Sequence, residues 1–131
     1  LRYFNVYGPG EEHKGKMASV AYRAYKKGSF TLFPKNPKRD FIYIKDVVNA
    51  NLAAAKLDRG VFDVGYGKSV PFEELVNGMG IKFNYATEDK IPSWYQFYTC
   101  ADKNMRIPGW HPYYPVADGT FDYLKYLKNN E

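Results

Sequence analysis

The chain has 131 residues, 45% of them hydrophobic, which suffices for one domain with a buried core and excludes a disordered composition. The formal charge of +5 favours anionic partners. Only Lys26-Lys27 and the run Lys35 to Arg39 are densely basic, and no zinc-ligand set, RNP-like run or helix-turn-helix pattern accompanies them, so a diphosphate-bearing small molecule explains the charge as well as a polynucleotide does. The lone cysteine, Cys100, excludes an internal disulfide and sets the expectation of a reducing, cytoplasmic location. Two His and one Cys give no metal signature. No apolar run approaches the ~20 residues that span a bilayer, so neither membrane nor nucleic acid is expected as a partner. Aromatic residues make up 18%, with 13 Tyr and 9 Phe, a content suited to a wet cleft or equally to an aromatic core.

In chain order, residues 2–7 read as a strand that starts almost at the first residue, closed by Gly8-Pro9-Gly10. Such a start sets the expectation of a piece of a longer protein. A polar loop follows over residues 8–16. Residues 17–27 then form a helix with Met17, Val20, Ala21 and Ala24 inward, stopped at Gly28. Residues 31–33 are a short strand, residues 34–38 a basic turn and residues 40–44 another strand. Asp46 is the expected N-cap of a helix over 47–57. Residues 61–65 are a strand closed by Gly65-Tyr66-Gly67, and Pro71 opens a short helix. Residues 81–85 and 95–99 are further strands, Asp102 caps a single turn, and residues 118–127 form a last helix with Phe121, Leu124 and Leu127 inward. The alternation of strands and helices predicts an α/β domain of residues 1–131, a small mixed sheet with short helices. Neither glycine turn is a phosphate loop, because Pro9 removes a donor from the first and the second lacks a third glycine.

Three stretches resemble one family. Leu1-Arg2-Tyr3-Phe4-Asn5-Val6-Tyr7-Gly8-Pro9 is similar to the Arg-x-x-Asn-x-x-Gly-Pro segment of extended short-chain dehydrogenases acting on nucleotide sugars. Arg39-Asp40-Phe41-Ile42-Tyr43-Ile44-Lys45-Asp46-Val47 resembles their Arg-Asp-Phe-x-Tyr-Val-x-Asp-Val block, and Phe62-Asp63-Val64-Gly65-Tyr66-Gly67 their Asn-Leu-Gly-x-Gly turn. Within that group, Glu12-His13-Lys14-Gly15-Lys16-Met17-Ala18-Ser19 and Tyr95-Gln96 with Thr99, Ala101 and Asp102 resemble the ADP-glycero-manno-heptose 6-epimerases. The resemblance implies the carboxyl-terminal, substrate-binding part of a Rossmann-type protein whose dinucleotide-binding half is missing. It also implies a cytoplasmic homo-oligomer, and inversion at C6 through transient oxidation by NADP, most of which the missing half would hold.

The resemblance further implies roles for individual residues. Lys14 stands where one of two acid/base groups acts, a role that needs burial or a nearby cation to bring a lysine into range. His13 and Lys16 are placed to assist. Val6 and Lys14 fall beside the cofactor. Asn5, Phe33, Pro34, Lys35, Asn36, Arg39 and Tyr95 fall at substrate contacts, and Arg39 would offer its fork of donors to a diphosphate. Lys16 and Arg23 match substrate positions where Ser and His are usual. The alternatives from the residues alone are a solvated Lys14, a turn-capping Asn5, and an Arg39 paired with Asp40 or Asp46. The loop at residues 33–39 is shorter than the family's. The pair Tyr22 and Lys26 matches a Tyr-x-x-x-Lys motif in spacing but lies in the wrong order, so no hydride chemistry is expected of this chain alone. Three alternative functions stand beside this one: another extended dehydrogenase such as a 4-epimerase or 4,6-dehydratase, a non-catalytic sugar-nucleotide-binding module, or a basic nucleic-acid binder. Exposed apolar surface, with pairing at the Leu1 to Tyr7 edge, would make the chain self-associate.

Overall fold

The computed structural model describes residues 1–131. The opening run is a strand broken at Phe4 into β1 (Arg2–Tyr3) and β2 (Asn5–Tyr7). The break follows from a change of partner. The Arg2 and Phe4 amides donate to the carbonyls of Phe62 and Val64 at 2.8 and 3.0 Å, and the Asn5 amide donates to the carbonyl of Asp40 at 3.0 Å. Amides of adjacent residues face opposite edges of a strand, so the two neighbours lie on opposite sides. β1 pairs in parallel with β6 (Asp63–Val64), and β2 in parallel with β5 (Phe41–Tyr43). Asn5 and Val6 therefore sit at the centre of the strand assembly.

The expected first helix is shorter than its apolar pattern. α1 (Val20–Lys27) begins after Ser19, whose hydroxyl oxygen accepts the Tyr22 amide at 3.2 Å. Met17 is 85% exposed rather than inward, because it ends a 3-10 segment, Glu12–Met17, inside the expected loop. Gly28 closes α1 at φ 84°, a left-handed conformation that favours glycine. β3 (Ser29–Leu32) pairs in parallel with β8 (Lys82–Tyr85). The strand expected over 40–44 is β5, over Phe41–Tyr43, and the end of the expected basic turn adds a second short strand. That strand, β4 (Lys38–Arg39), runs antiparallel to β7 (Val70–Pro71).

α2 (Ile44–Ala54) starts earlier than expected. Tyr43 takes the cap position, and the Asp46 carboxylate accepts the amides of Tyr113 and Tyr114 at 2.9 and 3.0 Å. That aspartate ties down a distant loop instead of capping its own helix. α3 (Phe72–Gly78) follows Pro71 as expected. Residues 95–99 form only a bridge between Lys38 and Tyr98, not a full strand. Asp102 accepts the Asn104 amide at 2.9 Å over the turn Lys103–Met105, as expected.

α4 (Val116–Asn129) buries Thr120, Tyr123 and Leu127, whereas Phe121 is 68% exposed. Gly119 selects that face. A Cβ there would fall 2.0 Å from the Tyr7 hydroxyl, so the helix backbone rests directly on the Tyr7 ring. Tyr7, Tyr43 and Tyr123 pack as a trio with ring centroids 5.3 to 6.4 Å apart, the centre of a core shared with Phe41, Leu75 and Met79. Desolvation by burial raises the Tyr7 pKa, which keeps the phenol neutral. A second core lies under α2, with Ile42, Val47, Val64, Ile107 and Trp110. No helix is long and apolar enough to cross a membrane.

Four buried carboxylates hold the connecting segments. The fully buried Asp40 accepts the amides of Tyr66, Gly67 and Ala101 at 2.7, 2.8 and 2.9 Å. Asp63 accepts Arg2 Nε at 2.7 Å and the Asp102 amide at 3.0 Å. Asp46 serves the loop before α4, and Glu11 the segment before α1. Removing a buried acceptor leaves its donors without partners, at about 1–3 kcal/mol per group. Asp40→Ala is therefore expected to destabilise the chain by about 3 kcal/mol or more, read as a lowered urea midpoint with an unchanged slope.

Asp122 on α4 accepts the Tyr43 hydroxyl at 2.7 Å and meets Lys45 Nζ at 2.8 Å. The hydrogen bond from Lys45, then that from Tyr43, lowers its pKa below the usual carboxylate range. A depressed carboxyl contributes its full stabilisation above the unfolded value of about 3.9 and loses it as pH falls through the folded value. The stability gap between the wild type and Asp122→Asn is expected to stay level from about pH 5 to 8 and to shrink below about pH 4. Urea melts across that range would measure it.

Candidate functional site

β2, β3, α1 and α3 surround a cleft of about 400 Å³ lined by Asn5, Val20, Arg23, Phe30, Thr31, Leu32, Phe33, Arg39, Phe72 and Tyr95. Asn5 reaches it because it stands where the central strand changes partners. Arg39 reaches it because β4 runs against β7 immediately ahead of α3. Its guanidinium carbon lies 5.4 Å from the Phe72 ring centre and 5.1 Å from that of Tyr95, so two aromatic faces hold the cation. Arg39 Nη1 donates to the Lys38 carbonyl at 3.0 Å.

Neither Asp40 nor Asp46 neutralises Arg39. Both carboxylates accept backbone amides, and none of the three ion pairs involves Arg39. A rigid cation without a carboxylate partner thus faces an open, mostly apolar cleft. Tyr95 packs edge-on against Phe33 at 4.9 Å and Phe97 at 5.2 Å. Burial raises its pKa against the opposing effect of Arg39, so it stays a neutral phenol able to donate a hydrogen bond. Arg23 forms a second cationic edge. Its Nε donates to the Ala18 carbonyl at 3.1 Å, and its guanidinium lies 5.5 Å from the Phe30 ring centre.

The structure brings together Asn5, Arg23, Phe33, Arg39 and Tyr95 from the residues singled out in the sequence. It does not bring the others into this cleft. Lys14 and Lys16 are exposed on the Glu12–Met17 segment, so these residues do not supply the burial that an acid/base role for Lys14 calls for. Pro34, Lys35 and Asn36 lie on the loop beyond Phe33. There Lys35 and Asn36 adopt positive φ of 72° and 55°, and Lys35 turns to form an ion pair with Glu88. Val6 is paired with Ile42 inside the strands and packs against the second core. Sequence reading missed Val20, Phe30, Thr31, Leu32 and Phe72 as lining residues. Phe72 opens α3 directly after Pro71 and is only partly buried against the main core.

The two glycine turns do not fit the pyrophosphate of a dinucleotide. The Gly8 amide donates to Glu11 at 3.1 Å, and the Tyr66 and Gly67 amides donate to Asp40. Their amides point at carboxylates of the chain itself, so neither turn can cradle a phosphate in the way a glycine-rich loop does.

Known proteins share this fold and sequence pattern. A family model described as the NAD dependent epimerase/dehydratase family matches residues 1–65. The ADP-L-glycero-D-manno-heptose-6-epimerase of Helicobacter pylori is similar over 98% of this chain and 43% of its own, with 30% identity and a TM-score of 0.79. The UDP-N-acetylglucosamine 4-epimerase of Methanobrevibacter ruminantium M1, solved with UDP-N-acetylmuramic acid, is similar over 100% of this chain and 46% of its own, with 26% identity and a TM-score of 0.79. The UDP-glucose 4-epimerase of Thermotoga maritima, solved with UDP-glucose, is similar over 99% and 45%, with 26% identity and a TM-score of 0.76. This chain spans less than half the length of each, and its mixed α/β fold corresponds to their carboxyl-terminal portion. The family match and the likeness over nearly all 131 residues together make this chain a member of the NAD dependent epimerase/dehydratase family.

Proposed function

We propose that residues 1–131 are the sugar-nucleotide-binding part of an NADP-dependent nucleotide-sugar epimerase, most like the ADP-glycero-manno-heptose 6-epimerases. The observation that carries this reading is the cleft in which Arg39 stands between Phe72 and Tyr95 with no carboxylate partner. A pyrophosphate needs fixed cationic donors, and a nucleoside needs apolar and aromatic walls. The cleft combines both. Asn5 adds a neutral donor and acceptor to its lining, and Arg23 a second cation. The His13-Lys14-Gly15 segment and the likeness to the H. pylori enzyme favour ADP-heptose over other sugars.

In this reading NADP supplies the transient oxidation and is held outside these residues, since neither glycine turn accepts a pyrophosphate. The chain's own residues bind and orient the substrate. Arg39 and Arg23 neutralise the diphosphate, Tyr95 and Asn5 bond the ligand's polar groups, and Phe33 packs on the nucleoside end. Lys14 serves as a proton-transferring group once the missing half of the protein covers its segment. The 131 residues alone then bind the ligand without converting it. A 4-epimerase or 4,6-dehydratase reading shares the cleft and differs in the nucleotide sugar taken and in the reaction that follows oxidation, a choice that the UDP-sugar enzymes among the relatives keep in view.

Calorimetric titration of the chain with ADP-, UDP- and GDP-linked sugars is expected to give saturable binding, tightest for an ADP-sugar. No binding to any of the three ends the reading, and a preference for UDP-sugars moves it to the 4-epimerases. Arg39→Ala is expected to weaken binding at least tenfold. Arg39→Lys should recover only part of that loss, because an ammonium keeps the charge but neither stacks between two rings nor offers a planar fork. Equal affinity of Arg39→Lys and the wild type would show that charge alone matters.

A further inference from the structure

Glu11 holds the segment before α1 from a junction outside the cleft lining. Its side chain is nearly enclosed, at 5% exposure, and meets no cation. Four donors converge on it. The Gly8 amide reaches Oε2 at 3.1 Å and the Ser19 hydroxyl reaches Oε2 at 2.9 Å. The Ser19 amide reaches Oε1 at 2.6 Å, and the Tyr123 hydroxyl reaches Oε2 at 2.8 Å. Gly8 and Ser19 are the two ends of the excursion that carries Lys14. Between them the Glu12–Met17 segment buries no residue, and Gly15 breaks its helical path at φ 55°. That segment has almost no packing of its own to fix it. Ser19 also caps α1, which sends Val20 and Arg23 into the cleft.

We propose that Glu11 and Tyr123 form a clamp that positions the Lys14 segment relative to the sugar-nucleotide cleft, with α4 as its fixed point. Glu11 and Tyr123 are positioning residues here, since neither lines the cleft. The clamp rests on the functional reading above for the role of Lys14, and on geometry alone for its hold on the segment. Burial comes first and the bond to Glu11 second among the causes that raise the Tyr123 pKa, so the phenol stays protonated and keeps donating. Glu11 accepts all four bonds only as a carboxylate. Its glutamine counterpart would turn a donor toward one or more of the same groups. The Tyr126 hydroxyl, one turn further along α4, reaches Glu12 at 3.3 Å on the exposed side and supplies a natural control.

The test compares the wild-type chain with Glu11→Gln, Tyr123→Phe, Tyr126→Phe and Leu127→Ala. Leu127→Ala removes apolar packing from α4 and leaves both partners of the Tyr123–Glu11 bond in place. Two quantities are read: amide hydrogen exchange over residues 12–18, and protection of Lys14 from reductive methylation by a bound ADP-sugar. The proposal expects exchange at least tenfold faster over 12–18 in Glu11→Gln and Tyr123→Phe, with loss of most of the Lys14 protection. Tyr126→Phe and Leu127→Ala, read under conditions where each remains folded, should change both by less than twofold. If all four variants behave alike, the clamp is only part of general stability and the proposal falls. It falls too if exchange over 12–18 is unchanged in Tyr123→Phe. A wild-type chain that binds the ADP-sugar without protecting Lys14 overturns the positioning role, whereas a chain that binds no sugar nucleotide overturns the functional reading itself.

Discussion

Charge buried as carboxylate and satisfied by backbone amides is the constraint on which this small domain depends. Its strands are two to four residues long, and no sheet ladder is extensive enough to hold the connecting segments. Glu11, Asp40, Asp46 and Asp63 do that work at 0 to 6% exposure, and each reaches a segment remote in sequence or closes a loop. A buried carboxylate without donors would be costly, whereas one receiving two or three amides is stable and highly directional. The geometry of the cleft follows from this. Asp40 anchors the turn after β6 and the chain at Ala101 while its neighbour Arg39 is left free of any acid. One residue of an adjacent pair is fully committed to the scaffold, and the other is available to a ligand.

Much of this was legible from the sequence. The order of strands and helices and the short helix after Pro71 follow from periodicity and turn residues, and the cap on the Lys103–Met105 turn from the placement of Asp102. Asn5, Arg39 and Tyr95 were found through motif resemblance, and the cleft they share depends on two strand pairings that sequence does not encode locally. What escaped was decided by tertiary contact. Asp46 reads as a cap because its chemistry suits one, but two amides 67 and 68 residues away compete for the same oxygens. Met17 and Phe121 fit apolar stripes, but Met17 ends the 3-10 segment ahead of α1, and Gly119 turns another face of α4 to the core. Lys14 could be named from its motif, but its exposure could not, because exposure depends on what covers the segment.

The aromatic richness of the chain serves two purposes that composition could not separate. Tyr7, Tyr43 and Tyr123 fill the interior with rings held neutral by burial. Phe72, Tyr95, Phe33 and Phe30 line the cleft, where the first two hold Arg39 and the last faces Arg23. A guanidinium held between rings has already given up rotamer freedom, which is the preorganisation that the proposed ligand would draw on. The likeness to enzymes acting on nucleotide sugars extends over this whole unit, and each relative is more than twice as long as the unit itself.

The seat of α4 on Tyr7 has one more consequence. With a phenol oxygen 2.0 Å from where a methyl group on residue 119 would stand, that position admits no side chain, so the last helix has a single angular setting on the core. Drift by point mutation is closed there. Even an alanine would lift the helix, and with it the tyrosine one turn along that reaches Glu11, so a change invisible from the cleft would be felt at its mouth.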